Sequence, residues 1–347
     1  MIRCVWGLFI ACLVLPAAAQ TGGSEPKDAA GWFQRASDQM NLRVFGVASF
    51  HMKVTFHAFP GIQLLDEKKS EKERGSEILA GDGVYEETWA STTEWRREVT
   101  LGPYHAIEVQ FGRVRKMQAD SDYEPSRVLM LLDALLDPIP HNILNPDLGD
   151  TRFSWKIDRH TDEKVPYVRI SNNRFGGAAV SFGYVFLPNG MLVMRNERGL
   201  ATGWQDQIVF AGKIVPRRLT VQAMGNNLLT AQVTVEAAGK VDPAMFDLPG
   251  TPADAGMTLR PLYKYDTSRW SFESQSASFI ESNLSSSSVI REVVDRHGVV
   301  RDAEIVYADG FGNLDGMLNY FRKMTWHPAE FDGSPCEIAW DWFHVHP

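Results

Sequence analysis

The stretch that decides the fold is Ala-Ser-Phe-His-Met-Lys-Val-Thr-Phe-His-Ala, residues 48–58. Apolar and polar side chains alternate along its whole length. A period of two is typical of a β-strand with one buried face, because successive side chains point to opposite faces of a sheet. Pro60 and Gly61 follow directly and end the strand. We therefore expect a sheet that buries one face of this strand.

Similar runs follow along the chain and predict a long series of antiparallel strands. Glycine- and proline-containing turns separate several of them. A single sheet with this many strands must curl or leave an edge exposed. The predicted strands after the first are 83–89, 93–100, 105–111, 113–117, 153–158, 165–171, 179–187, 191–197, 206–210, 217–223 and 229–236.

One helix interrupts this series. Residues 126–136 have leucines at helical spacing and end before Asp137-Pro138. The segment is apolar over most of its circumference, so we expect it to be buried. The fold class is therefore mainly β with some α: a curved antiparallel half-barrel over residues 41–248, with an inserted capping helix. Residues 20–40 precede it and contain a short amphipathic helix at 32–40.

The aromatic content bears on what the concave face holds. The chain has 19 Phe, 10 Trp and 9 Tyr residues, and in the strands they fall on alternating positions. Two interpretations stay open, namely a filled core and a cavity that accepts a lipid or an acyl chain. The candidate ligand-binding residues are Phe50, Phe56, Trp89, Leu131, Leu135, Trp155 and Phe186.

Four segments carry a resemblance to a known family. They are 81–85 (Gly-Asp-Gly-Val-Tyr), 95–98 (Trp-Arg-Arg-Glu), 210–216 (Phe-Ala-Gly-Lys-Ile-Val-Pro) and 241–249, which ends in Phe-Asp-Leu-Pro. Together with the strand series and the central helix, they resemble the bacterial lipoprotein-carrier superfamily of LolA-type half-barrels. The resemblance implies a non-enzymatic transport protein that binds a lipid or an acylated lipoprotein.

A second unit follows a proline- and serine-containing linker at residues 249–288. In residues 289–347, two alternating strands, 289–295 and 299–307, precede a helix at 313–324 and a last strand at 336–345. The predicted order is β-β-α-β, and we call residues 289–347 the C-terminal unit. Cys336 is expected in its last strand as a buried thiol.

The C-terminal unit also resembles a known family in the order of its elements and motifs. A strand, the motif Asp-x-x-Gly, a second strand and a helix come first. Trp, Pro-Ala and then Asp-Gly-x-Pro follow the helix. It resembles the C-terminal domain of TonB-type energy transducers, which implies a protein-interaction domain that pairs edge strands with partner peptides. The chain lacks the family's proline-rich arm, so energy transduction is not expected. The motif residues are Asp295, Gly298, Trp326, Pro328, Ala329, Asp332, Gly333 and Pro335.

The first residues predict export. Arg3, the apolar run from Val5 to Leu15 and three alanines ending at Ala19 form a secretory signal peptide, residues 1–19. We expect a periplasmic protein that is not integral to the membrane once mature. Processing at Cys12 is the alternative and would leave a lipid anchor. After cleavage, Cys336 alone would remain, which excludes a disulfide within the mature chain.

Charge and motifs exclude several functions. The net charge is −8, from 35 Lys and Arg against 43 Asp and Glu, which argues against nucleic acid as a partner. No hydrolase, metalloprotease or phosphate-loop motif is present. We expect no catalytic residue, no metal and no cofactor.

Individual charged groups have ordinary interpretations. Glu86, Glu87, Glu94 and Glu98 are read as solvated strand faces. The arginines of the same region, Arg96 and Arg97 among them, are read as their cross-strand partners. His51 and His57 are expected to face solvent, and the pair His344 and His346 is read as a tail without a metal.

The sequence thus predicts a non-enzymatic periplasmic protein that binds a hydrophobic ligand and contacts an envelope protein through the C-terminal unit. The first alternative is a cell-envelope adaptor or scaffold without a ligand cavity. A hydrolase that uses an acid such as Glu87 is the second alternative.

Overall fold

A sheet of twelve antiparallel strands is the main feature of the computed structural model. The structure describes residues 25–61, 78–121, 123–139, 155–172, 182–197, 199–248, 270–271, 288–308, 314–324, 326–331 and 334–344. The predicted signal peptide, the charged segment 66–74 and most of the linker lie outside these residues. The strands of the large sheet are β1 (Phe50–Ala58), β2 (Gly81–Ser91), β3 (Glu94–Leu101), β4 (Tyr104–Phe111), β5 (Val114–Ala119), β6 (Lys156–His160), β7 (Tyr167–Asn172), β8 (Phe182–Phe186), β9 (Leu192–Glu197), β10 (Leu200–Gln205), β13 (Arg218–Ala223) and β14 (Asn226–Ala237).

The strand order is β5-β4-β3-β2-β1-β14-β13-β10-β9-β8-β7-β6. The first and last strands of the series, β1 and β14, therefore pair at the centre, in register from Phe50 opposite Ala237 to Ala58 opposite Leu229. The two edges are β5 and β6. Because helix α2 (Ser126–Leu136) lies between them in sequence, the chain passes from one edge to the other through this helix.

The first strand confirms the alternating pattern. In β1, burial alternates residue by residue, with Phe50, Met52 and Val54 buried and His51 and Lys53 exposed. The mainly β fold with a curved antiparallel sheet and few helices is confirmed. Among the described residues, none of the helices has the length and apolar character needed to cross a membrane.

Helix α1 (Ala29–Met40) covers one part of the concave face. Asp28 caps it, since its Oδ1 accepts a hydrogen bond from Gly31 N at 2.8 Å, so the helix begins three residues before the predicted Trp32. Its buried face packs on β8, with the Phe33 ring 4.9 Å from the Tyr184 ring. Helix α2 begins at Ser126 and ends at Leu136 as predicted, and most of its side chains are buried.

Within residues 41–248, two short strands were missed, Leu200–Gln205 and Lys213–Val215. The segment Leu200–Gln205 pairs with β9 and β13, yet it was not predicted because Ala201 and Gly203 are too small to mark an alternating pattern. The predicted strand 206–210 is only partly correct. Asp206 has a positive φ of 49°, and the following β11 (Ile208–Phe210) leaves the large sheet to pair with β12 (Lys213–Val215). A short 3-10 helix, Pro243–Phe246, follows β14.

The C-terminal unit has the predicted order with one addition. Its sheet has the order β17-β16-β20, from β16 (Ser288–Val294), β17 (Val300–Ala308) and β20 (Ile338–His344). Helix α3 (Leu314–Phe321) follows β17 along the chain, and β18 (Ala329–Phe331) and β19 (Ser334–Cys336) follow the helix. These two strands form a second small sheet with β15 (Trp270–Ser271), which comes from the predicted linker. Cys336 thus ends β19, and the prediction that it lies in the last strand is wrong. The domain boundaries themselves stay a prediction.

Candidate functional site: the concave face of the sheet

The seven residues predicted to bind a ligand lie in one apolar core. Phe50, Trp89, Leu131 and Phe186 are at most 2% exposed. The rings of Phe50 and Trp89 stack with centroids 5.4 Å apart. The other three are Phe56, which is also buried, and Leu135 and Trp155, which are half-buried against the same core. Their role in ligand binding stays a prediction.

A small pocket remains on this face beside α2. Its cavity volume is about 30 Å³, which is room for about two water molecules and far less than a lipid needs. The apolar part of its wall comes from Tyr85, Val99, Ala106, Met117 and Leu132, and the charged part from Arg97, Glu108, Arg115 and Glu124. Among the described residues beside this pocket, therefore, helix α2 and the side chains leave little free space on the concave face.

A buried carboxylate lies on the same face. Glu87 is 0% exposed, so the interpretation of this residue as solvated is wrong. In β2 it is in phase with Tyr85 and Trp89, and all three side chains therefore face inward. This spacing could have predicted the burial of Glu87 from the sequence, because a residue two positions from each of two aromatic residues lies on the same face of the strand as they do.

Two arginines compensate the charge of Glu87. Arg43 Nε lies 2.9 Å and Arg97 Nε 3.1 Å from Glu87 Oε1, and the Tyr85 hydroxyl donates to Oε2 at 3.1 Å. Burial alone would raise the pKa of Glu87, but the two guanidinium groups outweigh it and lower the pKa to about 2. Arg43 was missed because it lies in an irregular segment before β1, where no periodic pattern marks it.

The cross-strand pairing predicted for the arginines is confirmed for Arg97, which pairs with Glu87 across β2 and β3. Arg96 instead pairs within its own strand, since its Nη2 lies 3.0 Å from Oε2 of Glu98, which is also on β3. The Arg97 guanidinium also lies over the Trp95 ring, 4.1 Å from its centroid. These contacts account for the charged side chains on β3 as structural groups.

Arginines hold the carboxyl end of α2. Arg43 Nη1 donates to Leu135 O at 3.3 Å, and Arg195 Nη1 donates to Asp137 O at 3.0 Å. Arg195 also pairs with Asp133 on the helix. Cations at this end satisfy the last carbonyl groups and complement the helix dipole. The Trp204 indole adds a hydrogen bond to Ala134 O at 3.1 Å.

Acidic residues of the C-terminal unit hold the amino end of α2. Ser126 N donates to Asp302 Oδ2 at 2.8 Å, and Glu124 N donates to both carboxylate oxygens of Glu337 at 2.9 and 3.0 Å. Burial raises the pKa of Asp302 to about 6, although the Ser126 amide opposes it. Burial, together with the Glu124 carboxylate, raises the pKa of Glu337 well above its ordinary value.

The predicted interaction motif forms a turn in the C-terminal unit. Asp295 Oδ1 accepts from His297 N at 2.8 Å and from Val299 N at 3.0 Å. Gly298 has a φ of +80°, and a Cβ atom there would lie 2.0 Å from Trp326 O. Trp326 is buried and Pro328 half-buried, while Pro335 is exposed; Asp332 and Gly333 lie outside the described residues. The interaction role of the motif stays a prediction.

Histidines form no cluster on this face. His51 and His57 are exposed on β1, as predicted, and within the described residues no group of three or more His, Cys, Asp or Glu could hold a metal ion. The side chains of Cys336 and His344, and all of His346, lie outside the described residues.

Neither a protein-family model nor a curated protein matches the chain. Among solved structures, a LolA superfamily protein from Nitrosomonas europaea is 9% identical with a TM-score of 0.34, over 63% of this chain and 97% of that one. A DUF1329 family protein from Desulfovibrio piger is 6% identical with a TM-score of 0.35, over 62% and 95%. MucB, solved in complex with MucA(peri), is 12% identical with a TM-score of 0.26, over 72% and 68%. TM-scores this low do not establish a shared function.

Proposed function

We propose that the chain is a non-enzymatic periplasmic protein that binds a hydrophobic ligand, a lipid or an acylated protein, on the concave face of its large sheet. The observation that carries the proposal is helix α2. It is a mostly apolar helix that lies between the two edge strands in the chain and packs against the concave face. Its ends are held by polar side chains, which can release it without breaking the sheet.

The free energy lost when α2 leaves the core is comparable to the free energy gained when an acyl chain is buried. A ligand can therefore take the place of the helix. Withdrawing about five large side chains of α2 from the core costs about 10 kcal/mol, at about 2 kcal/mol each. A 16-carbon acyl chain returns about 12 kcal/mol when it is buried, at about 0.8 kcal/mol per methylene group. We propose that the ligand first enters at the small pocket beside Leu132, because this pocket lies between α2 and strands β2 to β5.

Mass spectrometry of organic extracts from the purified full-length chain tests the proposal. We expect a lipid at close to one equivalent, and binding of the fluorescent fatty acid cis-parinaric acid once that lipid is removed. A chain that carries no lipid and binds no parinaric acid would refute the proposal.

A variant pair locates the site. Ala106→Phe fills the pocket, since Ala106 is buried in its wall, and we expect it to weaken parinaric acid binding about tenfold or more. Ala201→Phe is the control, because Ala201 alternates with inward-facing Leu200 and Thr202 and thus lies on the other face of the sheet. Equal binding by both variants would place the ligand elsewhere.

An envelope adaptor is the second candidate. The filled concave face favours it, since Phe50 and Trp89 are at most 2% exposed and offer a ligand almost no surface in this conformation. This candidate predicts that no lipid co-purifies and that loss of residues 289–347 abolishes capture of a partner. For Glu87 we propose a structural role, because a carboxylate with a pKa of about 2 is a poor general base near neutral pH.

A further inference from the structure

Helix α2 has no amino-terminal cap of its own. The residue before it is Pro125, and no side chain near it in sequence caps the helix. The amides of Glu124 and Ser126 are instead bound by Glu337 and Asp302, which lie 213 and 176 residues away along the chain. Cap substitutions elsewhere cost about 1 kcal/mol each, so these two carboxylates are a substantial part of what fixes the start of the helix.

A buried ion pair reinforces the same contact. Arg127 is 0% exposed, and its Nη1 and Nη2 atoms lie 2.6 and 2.9 Å from the two carboxylate oxygens of Glu304 on β17. Its Nε donates to Phe59 O at 2.9 Å, just after β1. Arg127 therefore ties the helix, the large sheet and the C-terminal unit together at one point.

Apolar contacts complete the junction. Leu129 packs against Val293 of β16 and Ala339 of β20, and this small cluster is separate from the core of the concave face. The next inward-facing residues of α2, such as Leu131, belong to the concave core instead. In the first turn of α2, Leu129 thus contacts the C-terminal unit, whereas Val128 and the later apolar residues of the helix belong to the concave core.

We infer that the C-terminal unit acts as a clasp that keeps helix α2 in the concave face, so that its release is the step that frees this face for a ligand. The inference rests on the proposed function for the ligand and on the junction contacts for the clasp. The arginines at the carboxyl end of α2 belong to the half-barrel and stay in place when the clasp opens. Release would therefore begin at the amino end of the helix.

The test compares two double variants of the full-length chain. Asp302→Ala/Glu337→Ala removes both acceptors, whereas Glu86→Ala/Glu236→Ala removes two exposed carboxylates of the large sheet. Hydrogen exchange of the α2 amides, read by mass spectrometry, measures the clasp without any ligand. The association rate of cis-parinaric acid measures access to the concave face.

We expect the α2 amides of Asp302→Ala/Glu337→Ala to exchange at least about tenfold faster than in the unsubstituted chain, with parinaric acid binding faster by a similar factor. The control variant should match the unsubstituted chain in both measurements. Asp302→Asn/Glu337→Gln should restore slow exchange, because an amide oxygen still accepts the two backbone hydrogen bonds.

The outcomes distinguish a failure of the clasp from a failure of the proposed ligand-binding function. Unchanged α2 exchange in a folded Asp302→Ala/Glu337→Ala chain would overturn the clasp. Faster exchange without parinaric acid binding in any variant would overturn the proposed function and leave the clasp standing. If the alanine variant does not fold, Leu129→Ala replaces it, since it weakens the junction without touching a buried charge, and the same two outcomes apply.

Discussion

Two fully buried carboxylates have pKa values that shift in opposite directions. One lies on the concave face, and the other lies where the C-terminal unit meets the start of α2. Glu87 is 0% and Asp302 1% exposed. Glu87 meets two guanidinium groups, and its pKa falls to about 2. Asp302 meets one backbone amide and lies near Glu304, which is itself paired with Arg127, and its pKa rises to about 6. Burial alone therefore does not decide the charge of an acid; the ratio of nearby cations to anions does.

This difference separates a permanent contact from a releasable one. Around Glu87, the ion pairs with Arg43 and Arg97 stay charged throughout the physiological pH range. At the junction, one buried arginine lies among several carboxylates. Protons bound to these carboxylates therefore help to stabilise the contact. The titratable and charged groups there are Glu124, Arg127, Asp295, Arg301, Asp302, Glu304 and Glu337, with the hydroxyl groups of Tyr104 and Tyr123.

The largest expected effect comes from Glu87→Leu. It leaves Arg43 and Arg97 buried without their carboxylate, and we expect the free energy of unfolding to fall by about 3–5 kcal/mol. Urea unfolding followed by tryptophan fluorescence measures it. Glu86→Leu is the neighbouring exposed control and should change the value by less than about 0.5 kcal/mol. A loss of similar size in both variants would mean that the Glu87 network contributes no special stability.

The pH dependence should show the opposite signs of the two regions. The folded chain holds the proton of Asp302 more tightly than the unfolded chain, so this stabilisation is complete below about pH 4 and is lost as the pH rises through about 6. The shift corresponds to about 3 kcal/mol. The α2 amides should therefore exchange faster at pH 7 than at pH 5, after correction for intrinsic exchange. Asp302→Asn should flatten this profile, and an unchanged profile would rule out Asp302 as its source.

Glu87 has the reverse dependence. Its pKa is lower in the folded chain, so its stabilisation is present above about pH 4.5 and is lost as the pH falls towards 2. Acid unfolding followed by circular dichroism should begin at higher pH in Glu87→Gln than in the unsubstituted chain. If the two proteins unfolded at the same acidic pH, this result would contradict the role of Glu87 as the buried, charged acid.

A smaller effect is expected from the caps of the two helices. Asp28→Ala removes the local cap of α1 and should cost about 1 kcal/mol, with faster exchange confined to the first turn of that helix. Asp302→Ala removes a cap supplied by the C-terminal unit, so the loss of protection should reach both α2 and the contacting strand β17. Exchange maps by mass spectrometry distinguish the two patterns, and a response limited to α2 would contradict the junction.

The smallest effect should come from an exposed pair. Lys53 Nζ lies 2.8 Å from Glu86 Oε1, but both side chains are more than half exposed. Lys53→Ala should change the free energy of unfolding by less than about 0.5 kcal/mol, because solvent screens such pairs. A larger loss, measured by urea unfolding, would show that distance and not burial sets the strength of these contacts.

Much of the fold could be predicted from periodicity. The alternation of β1 and the leucine spacing of α2 gave correct elements, because each pattern directly reports which side chains must be buried. The segment Leu200–Gln205 could not be found in this way, since Ala201 and Gly203 are too small to give an alternating signal of their own. Arg43 was equally hidden, because its partner Glu87 lies 44 residues away.

The site was predicted less completely than the fold. The aromatic positions of the concave face are apparent from the sequence, and their burial is confirmed. Whether they surround a cavity depends on what lies against them, and periodicity carries no information about that. The pairing of Asp302, Glu304 and Glu337 with the start of α2 likewise depends on how two distant parts of the chain meet.

By itself, the sequence determined most of the strands and helices and which faces of them are apolar, because these follow from local periodicity and turn residues. Only the tertiary structure decided that β1 pairs with β14, that α2 packs against the concave core and that the pKa values of Glu87 and Asp302 shift in opposite directions. Each of these depends on contacts between residues far apart in the chain, where packing and the number of neighbouring charges set the energy.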